Sequence, residues 1–430
     1  MKSIIPTISG LLLLIGPAVV QGQYAYITNA DGSSYAYSTN ADGSLAIEGY
    51  SGPPWSVTIP AHINGATVTI IGAGAFADMA NLTAVTIPGS VNSIGYSAFY
   101  FCPNLTNATL LNGITNLEGG SFAECYNLSA LTIPNTLTSI GDLAFHQCQN
   151  LPSVTIPNGV TSIGYGAFWD CTSLTNVLIP ASVVSIGVQA FCYCTNMSAI
   201  IVDPGNPIFF SQDGVLFNEN QSNLVQYPSG LNGEYNIPGS VSNIEAFAFT
   251  GSGVSNVTIP GSVTSIAEGA FSGCHMLNNT TIPASVTTLG DGIFAYCANL
   301  SGVFFHGNAP TNFVSGPVLF PPKLFYNDTN TTAYYLPGTT GWGSTYQEIP
   351  AVLWNPLIQT GDGNFGVQNN QFGFDIKGTA AIPIVVEGCT NLANPVWTAL
   401  TNVTLTNGLF HFSEPAQPAS AGRFYRIGSP

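Results

Sequence analysis

The stretch Val154–Leu174, which reads VTIPNGVTSIGYGAFWDCTSL, decides the fold of this chain. Val154 and Ile156 lie two residues apart, which is the spacing of a strand that buries one face. Pro157 ends this strand because proline cannot donate a hydrogen bond to a sheet ladder. The stretch therefore begins with a short strand and a turn.

The second half of the same stretch has a different period. Ala167, Cys171 and Leu174 follow one another at i, i+4 and i+7, which is helical spacing. We expect an extended segment up to Ile163 and then a short helical turn entered at Gly164.

This unit recurs along most of the chain, and a phenylalanine marks each copy. The first six of these anchor phenylalanines are 23 residues apart, and the last three are spaced by 22 and 23 residues. The anchors are Phe76, Phe99, Phe122, Phe145, Phe168, Phe191, Phe249, Phe271 and Phe294. A fixed period of this length is typical of a solenoid.

A single unit cannot fold alone. It buries roughly six large apolar side chains, worth about 1.5–3 kcal/mol each. Ordering its residues costs on the order of 35 kcal/mol. Stacking of neighbouring units must supply the difference, which predicts a parallel sheet along one face, roughly 50 Å long for about ten coils.

The repeat resembles the BspA-like leucine-rich repeat family of bacterial surface proteins. The motifs that carry the resemblance are I-P, S-I-G, A-F and C-x-N-L, and they extend from about Tyr50 to Trp354. Asn206–Tyr227 looks like the irregular hairpin unit of such arrays, and Tyr334–Gly343 is similar to their terminal element. The resemblance implies a leucine-rich repeat solenoid that works in adhesion and protein binding.

The N-terminus has the pattern of a secretory signal peptide. Lys2 precedes a short apolar run that includes Leu11–Ile15, and Val20 and Gly22 are small enough for a cleavage site. We expect residues 1–22 to be removed and the protein to be secreted, extracellular or on the cell surface. No stretch is long and apolar enough to predict a membrane span.

The remaining segments flank or interrupt the array. Two Asn-Ala-Asp-Gly turns favour a capping hairpin, although their acidic residues leave a calcium site as an alternative. A polar, glycine-rich stretch precedes alternating apolar runs that are typical of a small all-β module. The expected parts are a capping hairpin over 23–51, the solenoid over 52–356 with an irregular hairpin unit at about 203–235, a linker over 357–370, and the C-terminal module over 371–430.

Charge narrows the range of partners. Only 6% of the residues are charged, the formal net charge is −16, and there is no Lys or Arg between Gln23 and Pro322. Phosphate binding depends on basic side chains, so nucleic acid and anionic membranes are poor partners. An extracellular protein or polysaccharide fits better, and the array could also associate with itself.

Seven of the nine cysteines occupy one slot of the repeat, three residues after the anchor. Met79 and Ser252 fill this slot in the two other units, which indicates a buried packing position rather than a disulfide framework. We expect reduced core cysteines and expect Cys192, which lies outside the slot, to point away from the core. The asparagines five residues after the anchor favour backbone capping, with glycosylation as the alternative.

Candidate chemistry is sparse, and the sequence predicts no cofactor, no metal and no catalytic residue. The five histidines share no slot, and no Gly-x-Ser-x-Gly nucleophile elbow occurs. Glu268 and Asp291 both lie three residues before an anchor, where two carboxylates in consecutive coils could act as a glycoside hydrolase pair or simply cap turns. Binding is therefore favoured over catalysis.

Two surfaces are candidates for binding. On the strand face, the outward slot holds a row of threonines that gives way to larger apolar residues before the irregular unit; its candidate residues are Thr86, Thr109, Thr132, Thr155, Leu178 and Ile201. On the helical side, aromatic residues of neighbouring coils could stack on sugars or on a protein; the candidates are Tyr96, Tyr100, Trp169 and Tyr193. An interaction protein is the first hypothesis, and a self-associating structural component and a carbohydrate-active enzyme are the alternatives.

Overall fold

A computed structural model describes residues 24–53, 56–314, 323–328, 330–417 and 422–430. The expected signal peptide, residues 1–22, lies outside the described residues. The repeats form a β-solenoid of about 11 coils, followed by a small all-β module. The expected leucine-rich repeat solenoid is confirmed.

Each regular coil contributes two strands, so the array has two parallel sheets rather than the single sheet predicted. We call them the V-T-I sheet and the S-I-G sheet after the motifs that form them. The first part of the S-I-G sheet contains Ala25–Thr28, Ser34–Thr39, Leu45–Ser51, His62–Ile63, Ala66–Ile71, Ser93–Ile94, Asn116–Leu117, Ser139–Ile140, Ser162–Ile163 and Ser185–Ile186. The first part of the V-T-I sheet contains Ser56–Thr58, Ala84–Ile87, Asn107–Leu110 and Ala130–Thr132, and after a gap Asn176–Ile179 and Ala199–Val202.

The gap in the V-T-I sheet has a local cause. In other coils, the backbone N–H at this position donates to the preceding coil, as Ser129 does to the carbonyl of Thr106 at 3.0 Å. Pro152 takes the position in the intervening coil and has no N–H to donate. The residues that follow it, including Thr155, therefore lie outside any strand.

Both sheets have a second part, and that of the S-I-G sheet begins within the irregular unit. The second part of the S-I-G sheet contains Phe209–Gln212, Val215–Asn218, Asn223–Gln226, Asn243–Ile244, Ser265–Ile266, Thr288–Gly290 and Asn312–Val314. The second part of the V-T-I sheet contains Asn232–Asn236, Gly253–Thr258, Asn279–Ile282, Gly302–Phe305, Thr332–Tyr335, Thr345–Tyr346 and Ile349–Leu353.

The third side of each coil, called the turn face, was predicted to be helical and is not. The N–H groups of Ser97, Phe99 and Phe101 donate to carbonyls of the next coil at 2.8–2.9 Å, whereas a helix would keep them within its own chain segment. Ser97 and Phe101 have positive φ angles of 54° and 52°, which turn these N–H groups toward the neighbour. The described residues contain no α-helix, because coil-to-coil bonding replaces the helical pattern.

The anchor phenylalanines stack face to face along the core. Successive ring centroids lie 4.9–5.8 Å apart from Phe76 to Phe191. Tyr50 extends the stack at its N-terminal end, while Tyr227 begins a second stack that ends at Phe325. The search for anchor phenylalanines did not identify these three members, because two are tyrosines and because Tyr50 and Phe325 fall outside the regular spacing.

The cysteine ladder has a polar role in addition to packing. Each thiol of the slot donates to the carbonyl of the anchor phenylalanine in the preceding coil, for example Cys125 to Phe99 at 3.2 Å and Cys148 to Phe122 at 3.3 Å. Met79 lies in the first coil, where no preceding anchor phenylalanine needs a donor. All nine cysteines are free and buried.

The expectation for Cys192 was partly wrong. Its side chain belongs to neither core cluster of the array, yet it is fully buried. Its sulfur lies 3.8 Å from Oε1 of Gln226, in the irregular unit, and 3.7 Å from the carbonyl oxygen of Phe247, in the coil that follows. The irregular unit folds back and covers this position, which the local sequence did not reveal.

Several asparagines five residues after the anchor cap backbone carbonyls of the preceding coil, whereas Asn150 donates to the side chain of Asn127. Asn104 donates to the carbonyl of Ala80 at 2.7 Å, and Asn127 donates to that of Pro103 at 2.8 Å. The N-terminal cap is a three-stranded meander rather than one hairpin. In its turns, Asp31 and the equivalent Asp42 accept hydrogen bonds from the serine two residues later, Ser33 and Ser44, so these carboxylates stabilise the turns.

The C-terminal module contains two antiparallel sheets. One consists of Leu357–Gln359, Gly366–Gln368, Gln371–Lys377 and Leu409–Pro415; the other consists of Pro383–Cys389, Thr398–Thr404 and Phe424–Gly428. The segment 357–370, predicted to be a linker, contributes two strands that both pair with Gln371–Lys377. The prediction was wrong because these short strands lie at the solvent-facing edge of the module. Strands in such a place can be as polar as a linker.

Burial makes the thiols unreactive in the folded protein. It raises the pKa of both Cys192 and Cys274 to about 12, so few thiolates exist at neutral pH. We expect a thiol-specific reagent to modify none of the nine cysteines in the native protein and all nine after denaturation without reductant. Quantification by intact mass spectrometry tests this, and an added mass on the native protein or a disulfide-linked peptide would contradict it.

Candidate functional site

The outward slot of the V-T-I sheet contains the first candidate surface. Thr86 and Thr109 are half-buried in this slot, and Thr132 and Thr155 are exposed. Their role as a binding surface stays a prediction, because a threonine row is what an exposed sheet favours in any case.

Leu178 and Ile201 interrupt this row and are open to solvent. They face each other on neighbouring strands, and their exposed fractions are 52% and 47%. The residues on either side, such as Val177 and Ile179, are fully buried. Two large aliphatic side chains thus project outward where other coils present a hydroxyl.

The irregular unit borders these two residues. Its hairpin consists of Phe209–Gln212 and Val215–Asn218, and it contacts the strand that carries Ile201. Ser211 Oγ accepts the N–H of Val202 at 3.0 Å, and the carbonyl of Gly214 accepts that of Ile200 at 2.8 Å. The hairpin is therefore hydrogen-bonded to the open edge of the sheet, and the residues that the irregular unit exposes to solvent form its outer face.

This outer face is also apolar. Ile208 and Phe210 are exposed large hydrophobic residues, and neither was among the candidates from the sequence. We call Leu178, Ile201, Ile208 and Phe210 the hairpin patch. The chain reversal at the irregular unit brings the strand that carries Phe210 against the strand that carries Ile201, and the repeat pattern does not record this contact.

Carboxylates belong to the same segments as the hairpin patch, and no basic residue of these segments balances their charge. Asp203 follows the strand of Ile201, Asp213 lies in the hairpin turn, and Glu219 follows the second hairpin strand. No Lys or Arg occurs between residues 23 and 322 of the sequence. The patch is an apolar centre with an acidic rim.

Further along the same sheet face, equivalent apolar residues are covered. Phe304 takes the outward slot and retains only 2% of its exposed area, and the neighbouring Tyr334 is also buried. Both join a core cluster with Phe374 and Ile384 of the C-terminal module. A groove of about 430 Å³ remains beside this contact, lined by polar residues of both parts such as Asn279 and Asn402.

The turn face contains the second candidate surface. The sequence placed its aromatic residues in neighbouring coils, and the structure shows that several of them contact one another or a shared carboxylate. Tyr100 and Tyr126 both donate to the carboxylate of Glu124, at 2.9 and 2.6 Å. The ring of Phe101 lies 6.1 Å from that of Tyr126, edge to face, and is 38% exposed. Tyr96, in the coil before that of Tyr126, is also exposed.

Trp169 continues this group in the next coils. Its ring centroid lies 5.4 Å from that of His146 and 6.3 Å from that of Tyr193. Burial lowers the pKa of His146, so this ring is uncharged at neutral pH. Beside them, Gln149 donates to Asp170 at 3.0 Å.

Tyr193 contributes to core packing as well as to the second candidate surface. A Cβ atom added to Gly251 would lie 2.5 Å from its ring, and one added to Gly273 would lie 2.8 Å from its hydroxyl. Tyr193 thus packs across the irregular unit onto the turn face of the second part of the array. This contact depends on the irregular unit and could not be derived from the repeat.

The carboxylate pair is poorly placed for hydrolysis. Glu268 and Asp291 are both buried, with 5% of each residue exposed. A glycosidase must bring a glycosidic bond between its two carboxyl groups. Such burial leaves no room for a sugar chain, so the pair fits a structural role.

Two further observations concern metals and membranes. No group of three or more potential ligands for a metal ion occurs among the described residues. Within the same residues, no helix is long and apolar enough to cross a membrane.

Comparisons with known proteins agree with the fold. A family model described as a BspA type leucine rich repeat region matches residues 56–130, 115–232 and 227–313, in six copies. No curated protein matches the chain.

Solved structures of bacterial proteins are also similar. A leucine rich cell surface protein from Faecalibacterium prausnitzii is 27% identical, with a TM-score of 0.51, and the match covers 69% of this chain and 96% of that one. The pneumococcal vaccine antigen PcpA is 18% identical, with a TM-score of 0.59, and the match covers 77% of this chain and 99% of that one. The second likeness shows the fold alone.

The core that Phe304 shares with the C-terminal module should stabilise the contact between the module and the array. Phe304→Thr restores the residue of other coils but removes a large ring from a shared core, which costs about 3–5 kcal/mol. We expect limited proteolysis to release the module faster and calorimetry to show a separate, lower transition for it. Thr132→Ala, in an exposed slot of the first part of the array, should change neither result, and unchanged proteolysis of the Phe304 variant would contradict the shared core.

Proposed function

Because the chain belongs to the BspA-type leucine-rich repeat family, we propose that it acts outside the cell or on its surface as a binding protein. The likeness to a leucine rich cell surface protein supports this location. The relatives have no enzymatic names, which agrees with a role in binding rather than catalysis.

The hairpin patch is the site that we assign to a protein partner. The observation that carries this assignment is the contrast along one sheet face. The chain covers Phe304 and Tyr334 with its own module, whereas it leaves Leu178 and Ile201 uncovered. An exposed apolar group with a polar rim is typical of a protein interaction site.

Charge indicates what kind of protein fits. The rim carries carboxylates and no basic residue, so a complementary partner has an apolar centre flanked by Lys or Arg. The rim then speeds association, and the apolar centre supplies most of the affinity. Such binding weakens as salt rises, because exposed charge pairs are screened.

A double substitution tests this function. Leu178→Thr with Ile201→Thr restores the threonine row, and surface changes of this kind alter stability by about 0.5 kcal/mol or less. We expect the immobilised wild-type protein to capture a basic extracellular protein, and the double variant to bind that protein at least about tenfold more weakly. Affinity is measured by surface plasmon resonance at low and high salt.

Leu111→Thr is the matched control. It makes the same chemical change at a solitary exposed leucine in another coil, so binding should remain at the wild-type level. Equal binding by all three proteins would contradict the assignment of the hairpin patch. If sedimentation instead shows concentration-dependent self-association that only the double variant loses, the patch joins copies of the chain.

A further inference from the structure

The turn face carries a second site, distinct from the hairpin patch. In each coil the residue two after the anchor lies on this face, and in five consecutive coils it bears a side chain suited to binding. We call these residues the turn-face row: Phe101, Glu124, Gln147, Asp170 and Tyr193. Tyr100, Tyr126, His146, Gln149 and Trp169 flank the row.

The members of this row share one backbone conformation. All five members have φ angles between 52° and 60°, a region that disfavours any residue with a bulky side chain. Gly251 and Gly273 take the same position in the second part of the array, and glycine adopts this conformation freely. Asp78 and Tyr296 also keep a side chain at this position with a φ angle of 60°, so the conformation belongs to the coil, and what distinguishes the row is the chemistry of its side chains.

The chemistry of the row and its flanks matches a carbohydrate. Phe101 presents ring surface on which the apolar face of a hexose can stack, and the half-buried ring of Trp169 can contribute the part that His146 and Tyr193 leave uncovered. Both oxygens of Glu124 accept only one tyrosine hydroxyl each, and a carboxylate has about four acceptor positions. The carboxylates and the amides of Gln147 and Gln149 can therefore pair with sugar hydroxyls.

The spacing of the row matches a polymer. Neighbouring coils are 4.9–5.8 Å apart, as the anchor rings between Phe99 and Phe191 measure. An extended chain of β-linked hexoses advances by a similar length with each sugar. One sugar can thus meet each coil, and successive sugars meet a ring, a carboxylate or an amide in turn.

The negative charge of the turn face indicates which class of polysaccharide can bind there. The face has carboxylates, and the sequence supplies no Lys or Arg between residues 23 and 322 to neutralise an acidic sugar. Sulfated glycans and uronic acid polymers are therefore repelled. We propose that the turn-face row binds an extended, uncharged β-linked hexose chain that runs along the axis of the array, one sugar per coil.

Calorimetry with uncharged β-1,4-linked gluco-oligosaccharides, from disaccharide to octasaccharide, tests this site on the full chain. We expect affinity to rise with length up to about five sugars, one for each member of the row, and then to level off. A uronic acid oligomer of equal length should not bind. No binding of any uncharged oligomer, or an affinity that does not depend on length, would overturn the proposal.

Phe101→Gly separates loss of binding from loss of folding. It removes a stacking ring and also relieves the positive φ angle, so the variant should remain folded with a melting temperature close to that of the wild type. We expect oligosaccharide affinity to fall about tenfold in this variant and in Trp169→Ala. Wild-type affinity in a folded Phe101→Gly variant would contradict the site.

Tyr296→Gly is the matched control for strain. Tyr296 occupies the same position with a φ angle of 60° but lies in the second part of the array, outside the row. Its replacement should leave sugar binding unchanged. The Leu178→Thr, Ile201→Thr double variant should also bind sugar normally, so failure of either site is distinguishable from failure of the other.

Discussion

Hydrogen bonding between neighbouring coils is the constraint on which the rest of this structure depends. Each coil must place its backbone groups opposite those of the next coil on all three sides. On the two sheet sides this requires parallel pairing at a constant offset, as between Ser139 and Ser162. On the turn face it requires positive φ angles on both sides of the anchor, as at Ser97 and Phe101, because only then do the N–H groups point toward the neighbouring coil.

The core follows from this register. Coils in register place identical positions above one another, so the anchor phenylalanines must stack and the cysteines must form a ladder. Stacking leaves the anchor carbonyls buried in the interior, where an unpaired acceptor is costly. A thiol meets this need well, because it packs as a small apolar group and still donates to the carbonyl, as Cys125 does to Phe99.

The same register leaves the surface free to vary. Outward positions take no part in the ladders, so one row can change from Thr132 to Leu178 and Ile201 without altering the coil. Both proposed sites use this freedom. The hairpin patch lies where the register of the coils is interrupted, because a protein partner needs a surface of distinct shape. The turn-face row lies where the register is most regular, because a polymer needs a constant spacing.

Much of this protein was determined by the sequence alone. The anchor spacing, the Pro157 turn and the cysteine slot were sufficient to predict a solenoid and reduced core cysteines, because these depend on residues within one unit and its identical neighbours. The sequence also indicated Leu178, Ile201 and Trp169 as outward residues. Only the tertiary structure decided the remainder: the non-helical turn face, the burial of Cys192 and Phe304, the strands within 357–370, and the grouping of Phe210 with Ile201. Each of these depends on contacts between segments that are unlike in sequence and are brought together by the irregular unit, the C-terminal module or the neighbouring coil, so no local pattern records them.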